Sequence, residues 1–404
     1  MTRIAWPLVW LVALPCGCPQ DAPPCAETFA AAFPVGTVPN DVAFAECDGE
    51  PVVLVPASGA ARLDVLTLPC GAARAGVLFP PERSTPASPW AVAADGARAW
   101  VTLQGQGAVA LVDPCTGTVL DVARPTATIE LDPPLHLSAP QDADDDGTTE
   151  LEVGRLLPRA PQPVVAQDGV AFVAYTNLLE PGISLERPPV LGPGVLARFQ
   201  LIDDVIAPEP LVATLPCANP QGLALHDGAL WVSCSGPLGP TADAAVAALG
   251  DGALLRIDPA SLAVLEAVDV GRFAPGTPAL MPDALVVGSL LRPALARVAG
   301  GALVETAVAG AALESIFECA RLDTGAGPRA LCTHFSGDRL LVVEDGAAGL
   351  TVVRELPVGS GDAVFRGAQA VAIAPPAARA RGVGAAVLLG LSAEVVLIRS
   401  EDLP

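Results

Sequence analysis

The stretch SPWAVAADGARAWVTLQGQGAVALVDPCTGTV, Ser88–Val119, reads as one unit of a repeat. PWAVAAD is a strand that ends in an Asp-Gly turn. ARAWVTL is a second strand, GAVALVDP a third closed by the turn PCTG, and TVLDVA opens a fourth. Period-two alternation, β-branched residues and Asp-Gly or Gly-rich turns carry each of these assignments. Four short antiparallel strands cannot bury both of their faces alone. Such a unit needs copies of itself to stack against.

The copies are present. Working outward, one unit runs from about Asp41 through VVLVPA and ARLDVLTL. Beyond Ser88–Val119 come PVVAQ, GVAFVAYT and GVLARFQLI with DVIAPEPLVATL outermost, and then NPQGLAL, ALWVSC, GALLRIDP and AVLEAVDVG. A thinner unit follows: PALM, ALVVGSL, ALARVAG and ALVETAVA. The sixth is RALCTHF, RLLVVED and GLTVVRE, and the seventh is AQAVAIA, GAAVLLGL and AEVVLIRS. A spacing of roughly 40 to 50 residues is that of β-propeller blades. The expectation is an all-β chain forming a single β-propeller of seven four-stranded blades, with six or eight as alternatives. The N-terminal ETFAAAFPVG matches the later VVRELPVG, so an N-terminal strand is expected to close the last blade.

Ser88–Val119 and the fourth unit resemble the YVTN family of β-propeller repeats. Val101 and Thr102 stand for part of that family's triplet, although its Asn is absent, and GALLRIDPASLAVLEAVDV carries the later half of the repeat. The resemblance implies a propeller and no particular reaction.

Composition sets limits on function. Half of the residues are apolar but only 4% are aromatic, so the core must be built of Val, Leu and Ala. A net charge of −22 with no lysine excludes a phosphate-binding surface for nucleic acid and a polybasic grip on anionic lipid. The charge permits divalent cations or a basic partner.

The N-terminus MTRIAWPLVWLVALPCGCPQ has one early cation, Arg3, and an apolar run from Ile4 to Leu14. That run suits a signal-peptide core and is short for a transmembrane helix. LPCGC resembles the lipobox of bacterial lipoproteins. Cys16 follows Pro15, a poor cleavage residue, whereas Cys18 follows Gly17, so Cys18 is the expected lipidation site. An ordinary secretory signal is the alternative. The division expected is a signal peptide over residues 1–17, a tether over 18–26 and a propeller over 27–404, with insertions near 124–159 and 176–194. Cleavage before Cys18 leaves eight cysteines, an even number in an exported chain, which suggests disulfides. Cys217 with Cys234 and Cys319 with Cys332 are the expected pairs, with Cys25–Cys47 and Cys70–Cys115 as the weaker assignment.

The sharpest chemical motif begins at Asp142. Asp142, Asp144, Asp146, Thr148 and Glu150 follow the first half of an EF-hand calcium loop, with Gly147 for the bend. Position 12 departs from that pattern, because it is Val153 where a bidentate Glu belongs. Structural Ca²⁺ binding competes here with a plain solvated acidic loop. His136, His226 and His334 have no ligand spacing. No GxSxG, HExxH, CxxC or phosphate loop occurs. Trp90, Trp100 and Trp231 read as core, with a sugar-stacking platform as the alternative. Asn40, Asp41, Asn219 and Gln369 stand at corresponding strand starts and are candidates for the channel mouth.

The expectation for function is a monomeric, lipid-anchored module of the bacterial cell envelope, exported and displayed toward the periplasm or the surface. It would bind an envelope protein or glycan partner and hold to the membrane through its anchor. The rival is a propeller enzyme, lactonase-like or another hydrolase, with a metal in the central channel.

Overall fold

A computed structural model describes residues 32–404 except 69–71, 75, 83, 183–186, 241–245, 309–314, 348 and 359–365. Cys18, Cys25 and Cys70 therefore lie outside the described residues.

Every blade is an antiparallel meander, and there are seven. Blade 2 is Pro89–Asp95, Arg98–Leu103, Ala108–Asp113 and Thr118–Ala123, from the channel outward. Blade 1 starts with Ala43–Cys47, blade 3 with Pro161–Gln167 and blade 4 with Pro220–His226. Blade 5 starts with Ala279–Leu280, blade 6 with Ile316–Thr324 and blade 7 with Ala368–Ile373. The sequence reading starts blade 6 at Arg329. The structure adds the inner strand Ile316–Thr324, whose alternation is hidden in a segment rich in turn residues. Ala32–Pro34 pairs with Glu394–Val396 as the outermost strand of blade 7, so both ends of the chain share one blade.

Period-two geometry explains the core. In the second strand of blade 1, Val52 and Leu54 face blade 2, whereas Val53 and Val55 face blade 7, and all four are buried. Successive side chains leave opposite faces of a strand, so an unbroken apolar run serves two interfaces at once. Each of the seven blade-to-blade interfaces has its own apolar cluster. Trp100, Tyr175 and Phe199 lie together between blades 2 and 3. Outer strands alternate with solvent; Thr118–Ala123 is an example.

A meander puts its connections alternately at two ends. Tight turns gather at one face. Three of them are the Asp-Gly pairs at residues 48–49, 168–169 and 227–228, where both residues have positive φ, as a type I′ hairpin turn requires. At the opposite face stand the strand ends that lead from one blade to the next and from second to third strands. Three hairpins stand on this connection face. Ile129–Gln141 pairs with Glu150–Leu156 between blades 2 and 3. Leu178–Glu180 pairs with Val190–Leu191 within blade 3, and Leu238–Pro240 with Val246–Ala248 within blade 4. The first two dock on each other over Leu137, Val153, Leu156 and Leu179. Glu180 accepts hydrogen bonds there from the backbone N–H groups of Ser138 and Ala139.

Cys217–Cys234 and Cys319–Cys332 are disulfides, and the second joins residues directly opposed across two strands. Cys47 pairs with Cys115, which replaces the expected Cys25–Cys47 and Cys70–Cys115 pairings. The reason is placement at the turn face. Cys47 ends the inner strand of blade 1 and Cys115 sits in the third turn of blade 2, with Cα atoms 5.2 Å apart. Disulfides mark an oxidising compartment outside the cytosol. Among the described residues, no helix is long and apolar enough to cross a membrane.

Candidate functional site

The inner strands share one irregularity. Their pairing with the second strand slips between Pro89 and Val92, Pro161 and Val164, Pro220 and Gly222, Ile316 and Cys319, and Ala368 and Ala370. These slips fall at the same place in five blades, at the connection end. A bulge of this kind re-aims a side chain, and here each leaves a residue facing the channel. Asp41, Trp90, Pro163, Gln221, Thr277, Glu318 and Gln369, one from each blade, wall a cavity of about 220 Å³. Its deeper wall is apolar and includes Val92, Val164, Val165 and Leu223.

Two buried threonines brace the bulges. Thr102 accepts from the backbone N–H of Ala91 and donates to the carbonyl of Gln162 in the next blade, both at 2.9 Å. Thr333 repeats this, accepting from Glu318 N at 3.1 Å and donating to Gln369 O at 3.2 Å. The two carboxylates are also set alike. Asp41 Oδ2 accepts from Val92 N of blade 2 at 2.9 Å, and Glu318 Oε2 accepts from Val371 N of blade 7 at 3.3 Å. Asp41 Oδ1 takes a second bond from Val42 N at 2.7 Å.

Burial raises both acids. The Asp41 carboxyl is pushed up to about 6, mainly by loss of water, while the Val92 and Val42 N–H groups hold it down. Glu318 is raised well above the usual carboxylate range, first by burial and then by the charge on Asp41. Two carboxylates in one half-buried space resist double ionisation. Among the described residues lining the cavity, Asp41 and Glu318 are the only charged side chains, and none is Ser, Cys or His.

The candidates divide. Asn40, Asp41 and Gln369 line the cavity. Asn219 is absent from that wall. Its amide donates to Ser235 Oγ at 2.8 Å and to Gly236 O at 3.2 Å, while its oxygen accepts from Gln221 Nε2 at 2.8 Å. Asn40 makes a matching bond to Ser58 Oγ at 3.0 Å. The recurring Asn therefore clasps a loop, and the channel residue follows it in sequence. Gln221 and Glu318 were not singled out from the sequence. Superposing the seven inner strands position by position reveals both, provided Ile316–Thr324 is assigned as a strand. Trp100 is core, whereas Trp90 faces the channel and Trp231 lines a cleft of about 380 Å³ between blades 4 and 5 on the turn face. His136 lies on the long hairpin, His226 beside that cleft, and His334 is buried in blade 6.

At the tip of the long hairpin, Asp142, Asp144 and Asp146 bring carboxylate oxygens within 4.8 Å of one another. Asp142 accepts from the N–H groups of Asp146 and Gly147, and Asp146 from that of Thr148. Arg155 lies 2.9 Å from Asp144 and 3.7 Å from Asp146, so a guanidinium offsets part of the charge. Glu150 stands apart from the group, exposed at the start of the return strand.

The fold and its channel thus define a seven-bladed β-propeller whose polar residues cluster at one mouth. The sequence matches no family model and no curated protein. Among solved structures, the chain is similar to a streptogramin B lyase, with 12% identity, 90% of this chain and 95% of that chain covered and a TM-score of 0.57. It is also similar to a chain of a mitotic checkpoint complex at 13% identity, 97% and 98% coverage and a TM-score of 0.58. A third likeness is to hydrazine synthase from Kuenenia stuttgartiensis at 11% identity, 91% and 97% coverage and a TM-score of 0.57. At such identities the likeness shows the fold alone.

Proposed function

We propose that this chain is an exported, lipid-anchored propeller of the cell envelope that binds a protein or glycan partner on its connection face. One observation carries the reading: the three hairpins and the polar channel mouth all open on that face. Binding residues concentrate on loops held by a rigid scaffold. The propeller neighbours include enzymes and a member of an assembly, so the fold leaves this choice to the site. The test compares partner capture from envelope extracts by the wild type and by two variants. One replaces the hairpin over residues 129–156 with a short Gly-Ser turn, and the other changes His226 and Arg256 on the turn face. Loss of the captured partner in the first variant alone supports the reading, and equal capture by all three proteins overturns it.

The anchor is assigned to Cys18. Metabolic labelling with an alkyne fatty acid should mark the wild type and fail for Cys18→Ser. Labelling of Cys18→Ser but not Cys16→Ser would move the anchor to Cys16.

The acidic tip is proposed as a structural Ca²⁺ loop, on the strength of its three converging carboxylates. Extracellular sites of this kind hold Ca²⁺ at roughly 10⁻⁴–10⁻³ M. EDTA should lower the melting temperature of the wild type and leave Asp144→Ala unchanged; no EDTA effect on the wild type refutes the site.

A hydrolase reading has one supporting observation, the two acids of the channel, both raised by burial and Glu318 further by the charge on Asp41. Such pairs divide acid and base roles in catalysis. An ester or glycoside panel in which turnover disappears with Glu318→Gln would favour it over binding alone.

A further inference from the structure

We infer that the channel mouth is a binding site for a small free organic cation, an aliphatic ammonium ion with its charge at Asp41 and Glu318 and its alkyl body against the apolar deeper wall. The inference starts from the cavity. All seven blades contribute to it, and among the described residues its two charged side chains are both acids. Among the described residues of the wall, none supplies a compensating cation. The other polar wall residues are amides and a hydroxyl: Asn40, Gln221, Thr277 and Gln369. A cation entering this space meets two half-buried carboxylates, where attraction is stronger than at an open surface.

The remaining wall selects the kind of cation. Trp90 and Phe317 also line the cavity, and aromatic faces attract ammonium groups. Val164 and Leu223 offer apolar contact below. A bare divalent ion uses none of this, and it requires several oxygens close around one point. Among the described residues the only group of three or more His, Cys, Asp or Glu ligands is at the hairpin tip, not in the channel. The cavity, about 220 Å³, is below the ~300–1,000 Å³ of sites for drug-sized ligands. It therefore fits a short alkylamine or diamine, and not an oligosaccharide or a folded segment.

Protonation sharpens the expectation. Both carboxyls are raised in the absence of a cation, Glu318 by Asp41 among other causes. An ammonium ion stabilises their charged forms, so binding must release protons near neutral pH. Affinity must also weaken as the pH falls and the acids fill.

The experiment is isothermal titration of the whole mature chain with 1-aminopentane at about pH 7.5, repeated in two buffers of different ionisation enthalpy and again at about pH 5, below the raised Asp41 value. The expected result is 1:1 binding with proton release, about ten-fold or more weaker at the lower pH, a factor equal to one pKa unit of linkage. 1-Pentanol, its neutral counterpart, should give no binding. Glu318→Gln keeps an acceptor for Val371 N and should bind at least about ten-fold more weakly, as expected for loss of one charge-assisted contact. Circular dichroism and the melting temperature report whether this variant is folded, and the wild-type pH series stands independently of it. No binding by the wild type, binding without proton release, or equal binding of 1-pentanol overturns the inference. Failure here leaves partner capture on the hairpins untouched, because that test does not involve the cavity.

Discussion

Asp41 and Glu318 each do two things. Each fastens its blade to the next through a backbone N–H, and each raises the proton affinity of the channel. The consequence for stability has a definite sign. A carboxyl whose folded pKa lies above its unfolded value keeps a proton in the native state that the unfolded chain has lost. Stability from it is full below the unfolded value of 3.8 and is lost as pH rises to about 6 for Asp41. The loss continues at higher pH as Glu318 ionises. For Asp41 the effect is at most about 3 kcal/mol, from the usual conversion of a pKa shift into free energy. The double variant Asp41→Asn/Glu318→Gln should therefore gain stability relative to wild type as pH rises from about 4.5 to about 8, a window that spans the raised Asp41 value. Urea unfolding at the two pH values measures this. A constant difference would mean that neither acid is raised. At the same scale, Gly276 shows how tight the inner ring is: a Cβ there would lie 1.9 Å from the carbonyl oxygen of Phe317, the neighbour of Glu318.

Strands and turns decide which contacts the disulfides can hold. Cys47–Cys115 joins two blades across 68 residues, whereas Cys319–Cys332 closes only 13 within one blade. In the loop-entropy account the longer closure contributes about 4 kcal/mol and the shorter about 3 kcal/mol. Replacing Cys47 and Cys115 by Ala should cost more stability in urea than replacing Cys319 and Cys332, if both variants keep native secondary structure. The shorter bridge also adjoins Glu318, so its removal should loosen the bulge that aims that side chain. Equal and negligible costs would show that the ring closes without either bridge. Alternation and Asp-Gly turns make most strands legible in the sequence, because period-two burial writes itself into residue order. Ile316–Thr324 is the exception. Its polar Glu318 and half-buried neighbours serve a wet channel and a bulge, so the apolar rhythm is broken.

The whole molecule is a ring, and a ring is only as stable as its closure. Ala32–Pro34 is a short strand, yet it covers the free edge of Glu394–Arg399 and ties the N-terminus to blade 7. Starting the chain at Val35 should lower the melting temperature and promote self-association through that exposed edge, measured by scanning calorimetry and light scattering. Unpaired strand edges are templates for pairing with other chains. A truncated chain as stable and monomeric as the full one would show that the seven interfaces suffice. The amino-acid order by itself determined the blade type, the repeat and the shared last blade, because strand alternation and turn chemistry are local properties. It also marked Asp41 and Gln369 as channel residues through their recurrence at strand starts. Tertiary structure alone decided that Cys47 meets Cys115, that Asn219 clasps a loop while Gln221 faces the channel, and that Glu318 shares the cavity with Asp41. Those facts depend on which blades become neighbours around a closed ring, and distance across a ring leaves no trace in the local pattern of a chain.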